Sequence, residues 1–319
     1  MRDFLIDTDT ASDDAVAIIM ALSDPDVRVL GLTTVAGNVS LEQGTKNALL
    51  TAEICKSDVP VYKGAAAPLT RAHDHAHWFH GFDGLGDNGF APKVREAEHT
   101  HAVDALIGLA DANPGLTLVT LGPLTNIAMA LARDSGFAGN VGRCVVMGGA
   151  PCCEGNVTPA AEYNIWVDPE AARIVFRSML PIEMVGWHVS RGASVLSHAE
   201  IAEIEGLGAQ KADFAIRANS RAVVAYHAQT GETGLSLADP TAMAIALDRS
   251  VGLSWSKHRI AIECASELTR GMTVVDRLDV SEDENNAQVW KTQAGEAKAD
   301  IVWTFDSLKF KTMLKSALA

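Results

Sequence analysis

Basic charge is scarce in this 319-residue chain, where 26 lysines and arginines face 40 aspartates and glutamates for a net charge of −14. No run of five or more basic residues occurs, so the footprint of a phosphate-backbone binder is missing and nucleic-acid polymers are excluded as partners. Cysteine is sparse as well. Five residues, an odd number with no CxxC pair, supply neither a disulfide framework nor a zinc site. The adjacent Cys152 and Cys153 read as packing or incidental thiols, and a reducing cytoplasm is the expected compartment. Long apolar runs are missing too: the longest uncharged stretch, 116–132, is interrupted by Gly122 and Pro123, so no membrane contact is expected. Only three apolar residues separate Met1-Arg2-Asp3 from Asp7, which is not the pattern of a secretory signal. There is no Pro/Gly/Ser-rich linker, low-complexity segment or fixed-period repeat, which leaves one expected domain over 1–319.

What remains is an ordinary globular composition, 48% hydrophobic, in which apolar strand-like runs alternate with helical patterns. FLIDTD (4–9) is followed by Ala15, Ile18, Ile19 and Leu22 at helical spacing. Further strands are expected at 27–37, 116–122, 143–149 and 180–187, with helices at 100–112 and 168–179 between them. Near-continuous apolar strands separated by helices predict an α/β, Rossmann-like, mostly parallel sheet with helices on both faces over residues 1–190. Residues 191–257 read as a helical segment. HRIAIECA (258–265), GMTVVD (271–276), AQVWKTQ (287–293) and DIVWTF (300–305) read as a small antiparallel extension. Ligands of such sheets bind beyond the carboxyl ends of the strands, so the residues that follow each strand carry the functional information.

Those residues include Asp7, Asp9, Asp13 and Asp14, four carboxylates within eight positions. Asp7 and Asp9 share a strand face, and Ser12 reads as the N-cap of a helix whose first turn holds Asp13 and Asp14. Capping accounts for one or two acidic residues and not for four, whereas a hard cation bound by oxygens removes their repulsion. Asp239-Pro240 by itself reads as a helix start, as do Asp24-Pro25 and Asp168-Pro169. Asn156, Glu162 and Asn164 present amide and carboxylate groups suited to sugar hydroxyls, or else form a polar loop. His75, His77 and His80, with Trp78 and Phe79 in a Gly-rich segment, lack a partner pair for zinc and suit an aromatic lid over a pocket.

In combination these segments resemble the nucleoside hydrolase family, the inosine–uridine-preferring N-ribohydrolases. DTDTASDDAVAI (7–18) is similar to its DxDxxxDD signature, and TTVAGN (33–38), VTLGPLTNIA (119–128), VVMGGA with EGN and AEYNIWVDPEAA (145–172), and ELTRGMTVVD (267–276) are similar to later blocks in order. The resemblance implies calcium-dependent hydrolysis of a ribonucleoside to ribose and free base. It implies a Ca²⁺ held by Asp9, Asp14, the Leu121 carbonyl and Asp239, and sugar contacts from Asp13, Asn38, Asn156, Glu162 and Asn164. Met147 would pack nearby, His80 would belong to the lid, and Asp9 would be general base for the attacking water. A homo-oligomer, dimer or tetramer, is a further expectation.

The chain departs from the family pattern in two places. Ala238 stands before Asp239, where many relatives carry a histidine or tryptophan that serves the leaving base, and His188 stands where an aspartate is common. His80, His188 and His227 are the candidates to replace that acid, with Trp78 or Trp187 as stacking partners. Two other enzymatic readings and one binding reading compete. Asp7-Thr8-Asp9 is similar to the start of haloacid-dehalogenase-like phosphohydrolases, in which Asp7 would be the nucleophile, Asp9 the acid and Mg²⁺ the cofactor. Ala238 suits hydrolysis of an unusual N-ribosyl compound whose leaving group needs no proton, and equally a non-catalytic ribose- or nucleoside-binding protein.

Overall fold

The computed structural model describes residues 1–286 and 297–319. Among them, nine strands form one sheet: β1 (Arg2–Thr8), β2 (Val27–Thr34), β3 (Val61–Lys63), β4 (Leu116–Thr120), β5 (Val141–Met147), β6 (Ile182–Val185), β7 (Gly252–Ile262), β8 (Thr273–Val275) and β9 (Lys298–Phe305). Their order across the sheet is β3-β2-β1-β4-β5-β6-β9-β7-β8. From β3 to β9 all neighbours run parallel, and β7 pairs antiparallel with both β9 and β8. The expected fold class is therefore the one seen. The DIVWTF strand pairs antiparallel with β7, as expected of the extension, and its other edge joins the parallel sheet beside β6 through Glu183–Asp300 and Met184–Ile301 pairs. AQVWKTQ (287–293) lies outside the described residues.

Helices α1 (Ser12–Ser23) and α2 (Leu41–Ile54) follow β1 and β2, and α3 (His77–His80) and α4 (Ala102–Ala112) precede β4. Helices α5 (Thr125–Arg133) and α6 (Phe137–Asn140) lead to β5, and α7 (Tyr163–Val167) and α8 (Pro169–Phe176) lead to β6. Between β6 and β7 lie α9 (His198–Glu205), α10 (Gln210–Ala218), α11 (Ser220–Thr230) and α12 (Ala238–Leu247); α13 (Ser307–Leu318) follows β9. None of the described helices is long and apolar enough to cross a membrane.

Strand alternation sorts the core into two layers. Phe4 and Ile6 of β1 face a cluster built with α1, α2, α12 and α13, whereas Leu5 faces a second cluster built with α4, α5 and α8. All five residues of β4 are buried, as expected of a parallel strand covered on both faces. β1 has β2 on one side and β4 on the other, so the connection out of β1 and the later return to β4 leave opposite edges of the same strand. A crevice opens at the carboxyl ends of strands where the order reverses in this way. Asp9 sits there, one residue past the end of β1.

Candidate active site

Two glycines frame Asp9. A Cβ on Gly37 would lie 2.7 Å from Asp9 Cγ, and one on Gly122 would lie 2.8 Å from Asp9 Oδ1, so the turns after β2 and β4 can close on the carboxylate only as glycine. Asp9 Oδ2 accepts the Asn38 N–H at 2.5 Å, and Oδ1 is buried with no partner. Asp14 Oδ1 accepts from Thr8 Oγ1 at 2.6 Å and Oδ2 from the Ala11 N–H at 2.9 Å. This corrects the expected cap: α1 begins at Ser12 itself, and Asp14 reaches back to bond the residue before it. Ser12 Oγ instead lies 2.8 Å from His80 Nδ1. Asp239 caps nothing, although it opens α12 beside Pro240. One oxygen of each of Asp13, Asp14 and Asp239 lies within 4.8 Å of the others, and Asp14 interacts directly with both Asp9 and Asp239.

Burial and mutual repulsion act together on this floor. Desolvation, then the neighbouring Asp14 charge, raises Asp9 well above the usual carboxylate range. Burial and the charge of Asp13 push Asp14 up to about 6, and burial with the charges of Asp13, Asp14 and Asp9 raises Asp239. No lysine or arginine counts among the causes of any of these shifts. Asp7, also fully buried, belongs to a different environment: Oδ2 accepts from Thr33 Oγ1 at 2.6 Å and from Asn126 Nδ2 at 2.8 Å. Its Oδ1, like that of Asp9, is buried without a partner.

Above the floor is a concave cavity that mixes apolar walls with a few polar groups, as small-molecule sites do. Asp13, Asn38, His80, Leu121, Met147, Asn156, Glu162, Asn164 and Asp239 all line it, while Asp9 and Asp14 lie beneath. Glu162 is the N-cap of α7 and accepts the N–H groups of Gly149, Asn164 and Ile165 at 2.7, 2.9 and 3.3 Å. Its burial still holds its pKa above the usual range. Asn164 Nδ2 donates to the Leu121 carbonyl at 2.8 Å, and Asn156 Oδ1 accepts the Tyr163 N–H at 2.9 Å. Tyr163 is a wall residue that sequence reasoning missed; its hydroxyl ties the Gly37 and Asp74 carbonyls together at 2.8 and 2.7 Å. Gln229 and Ser236 were missed as well, since nothing local distinguishes them from other helix and loop polar residues.

The upper wall is aromatic, with Trp78, Phe79 and Trp187 beside Ala238. Of the three candidate histidines the cavity contains only His80. Burial lowers its pKa against the opposing charge of Asp13, whose Oδ1 is 4.0 Å from Nδ1. His188 turns away: Nε2 meets the Val302 carbonyl at 2.7 Å and the ring packs on Trp303. His227 is exposed on α11, with Nδ1 at 3.1 Å from the Glu232 carbonyl. His75 and His77 stack on each other and His73 meets His75 edge-on, outside the cavity, and they assemble no metal-binding cluster among the described residues.

The profile of the inosine-uridine preferring nucleoside hydrolases matches residues 4–304. The chain belongs to that family. It is thus a nucleoside N-ribohydrolase. The pyrimidine-specific ribonucleoside hydrolase RihA of Shewanella sp. (strain MR-7) is 37% identical over 291 residues, 90% of this chain and 91% of that one. Uridine nucleosidase 1 of Arabidopsis thaliana is 46% identical over 189 residues, 58% of this chain and 56% of the relative. Among solved structures, the plant nucleoside hydrolase PpNRh1 superposes with a TM-score of 0.89 at 31% identity, covering 99% of this chain and 98% of its own. A purine-preferring ribonucleoside hydrolase from Gardnerella vaginalis also gives 0.89, at 29% identity, with the same coverage. Relatives named for purines and relatives named for pyrimidines therefore share this scaffold.

Proposed function

We propose that this family member cleaves the N-glycosidic bond of a ribonucleoside with Asp9 as general base and a bound divalent cation, Ca²⁺, at the floor of the cavity. The observation that carries the reading is the unpartnered, buried Asp9 Oδ1 among three further carboxylates without a cationic side chain. An all-oxygen donor set of Asp9, Asp14, Asp239 and the Leu121 carbonyl fits a hard cation, calcium above softer metals. When bound, the ion would neutralise the carboxylates and supply Lewis acidity next to the sugar.

The chain's own groups account for the rest. Oδ2 of Asp9 is held by the Asn38 N–H, which leaves Oδ1 to take the proton of the attacking water; burial makes that oxygen more basic. Asp13, Asn38, Asn156, Glu162 and Asn164 surround the sugar position with donors and acceptors for its hydroxyls. Carboxylates on this side also stabilise the positive charge that develops on the sugar as the bond breaks. On the leaving-group side Ala238 can give no proton, so His80, backed by Ser12 and Asp13, is the titratable group available there. The methyl group at 238 also favours a second substrate class, N-ribosyl compounds whose leaving group departs without protonation.

Ribose release from a panel of purine, pyrimidine and nicotinamide ribosides, with and without added calcium, tests the reading, with Asp9→Ala as control. Calcium-dependent release that Asp9→Ala abolishes is expected. Intact ribosides that nevertheless bind would replace hydrolysis by ligand binding, and near-normal turnover by the variant would remove Asp9 as base.

A further inference from the structure

Three segments of the cavity wall meet at one guanidinium that the reaction itself does not use. Arg191 follows the turn carrying Trp187. Its Nη1 donates to Glu154 Oε1, and its Nη2 donates to Glu232 Oε1 at 2.6 Å. Glu154 is two residues before Asn156, and Glu232 follows the end of α11, three residues after Gln229. The second oxygen of Glu232 accepts the hydroxyl of Tyr226, a fully buried residue of α11 itself. Gln229 Nε2 makes a second stitch, donating to the Asn156 carbonyl, and Ser236 Oγ donates to the Ser190 carbonyl at 2.7 Å. Trp187, Asn156, Gln229 and Ser236 all line the cavity, so each arm of the Arg191 junction ends within four residues of a wall residue.

We propose that Arg191 is a positioning residue that clasps α11 and the Asn156 loop into a closed wall and thereby sets how tightly the riboside is held. The role rests on the proposed hydrolysis only for its substrate; the clasp itself is a property of the wall. A guanidinium suits the task because its planar fork can serve two carboxylates at once, which the single ammonium of a lysine does not reproduce in the same geometry. Asp9 itself is framed by the ends of β1, β2 and β4, none of which bonds Arg191. Release of the clasp should therefore weaken binding and spare the chemical step.

The expected signature is a split between KM and kcat. Charge-assisted bonds at a half-exposed site predict a KM increase of about tenfold for Arg191→Met, with kcat within about twofold. Glu154→Gln, which cuts only the Asn156 arm at a largely exposed carboxylate, should give a smaller rise in KM and decides the matter if Arg191→Met does not fold. Arg191→Lys, which keeps the positive charge between Glu154 and Glu232 without the fork, should lose less than Arg191→Met. KM within twofold of wild type in both Arg191→Met and Glu154→Gln overturns the proposal, as does a fall in kcat at unchanged KM. If the wild type cleaves no riboside, the hydrolytic reading fails and the clasp is judged by amide hydrogen exchange over residues 220–232. Faster exchange in Arg191→Met upholds it, and unchanged exchange overturns it.

Discussion

Gly37→Ala is the smallest change that reaches the heart of the site without touching a functional group. The backbone at Gly37 is not in the left-handed region, and the nearest atoms in the way of a new Cβ are Oδ2, Cγ and Cβ of Asp9. The added Cβ would stand 2.7 Å from Asp9 Cγ and 2.8 Å from Asp9 Cβ. Carbon atoms rest about 3.5–4.0 Å apart, so the carboxyl must retreat by roughly 1 Å. Such a retreat pulls Oδ2 off the Asn38 N–H. A misplacement of about 1 Å at a reacting group costs on the order of a hundredfold in rate, and overpacking of this size costs about 1–3 kcal/mol in stability. The expected result is a roughly hundredfold fall in kcat/KM in a folded protein, read from initial rates of riboside cleavage beside thermal melts. Gly139→Ala, where an added Cβ meets nothing within 4 Å, is the matched control and should behave as wild type. Retention of half or more of the activity by Gly37→Ala would refute the view that Asp9 is held in one position by glycine-lined walls.

Two more predictions concern charge. Asp14 has a folded pKa pushed up to about 6, above its unfolded value, so its contribution to the ion-free protein is present below pH ~4 and is lost as pH rises through about 6. Binding a cation requires the deprotonated form, so calcium should raise the melting temperature of chelator-treated protein more at pH 8 than at pH 5, and equal shifts would contradict the assignment. Among the histidines, His80→Ala should slow cleavage of substrates with poor leaving groups by about tenfold or more, and His188→Ala should leave kcat within about twofold. The reverse order, measured on the same riboside, would move the acid to the far side of Trp187.

Local patterns exposed most of the sheet because parallel strands buried on both faces carry short continuous apolar runs, as Phe4-Leu5-Ile6 of β1, Leu118-Val119 of β4 and Cys144-Val145-Val146-Met147 of β5 do. The antiparallel pairing of β9 with β7 was legible, but its other edge against β6 was not, because strand pairing across more than a hundred residues leaves no trace in a segment's own pattern. The aspartate cluster was legible because four carboxylates exceed what a helix start can use, yet Asp239 read alone as a cap, and only packing of α12 against α1 brings it to the others. Ser12 and Asp14 exchanged roles, since either can cap and the choice falls to whichever side chain has no better partner; Ser12 has His80. Gln229, Ser236 and Arg191 were invisible at the level of sequence, because their significance lies in contacts between segments that are far apart in the chain.

The acidic floor also limits how this scaffold can be made sturdier. Buried like charges are a standing burden on the folded state, so replacing Asp14 by asparagine should raise the melting temperature of the ion-free protein. It should equally strip the floor of the chemistry it exists to perform. Screens that reward heat resistance without assaying turnover would collect such changes first, and the most robust variants would be the inert ones.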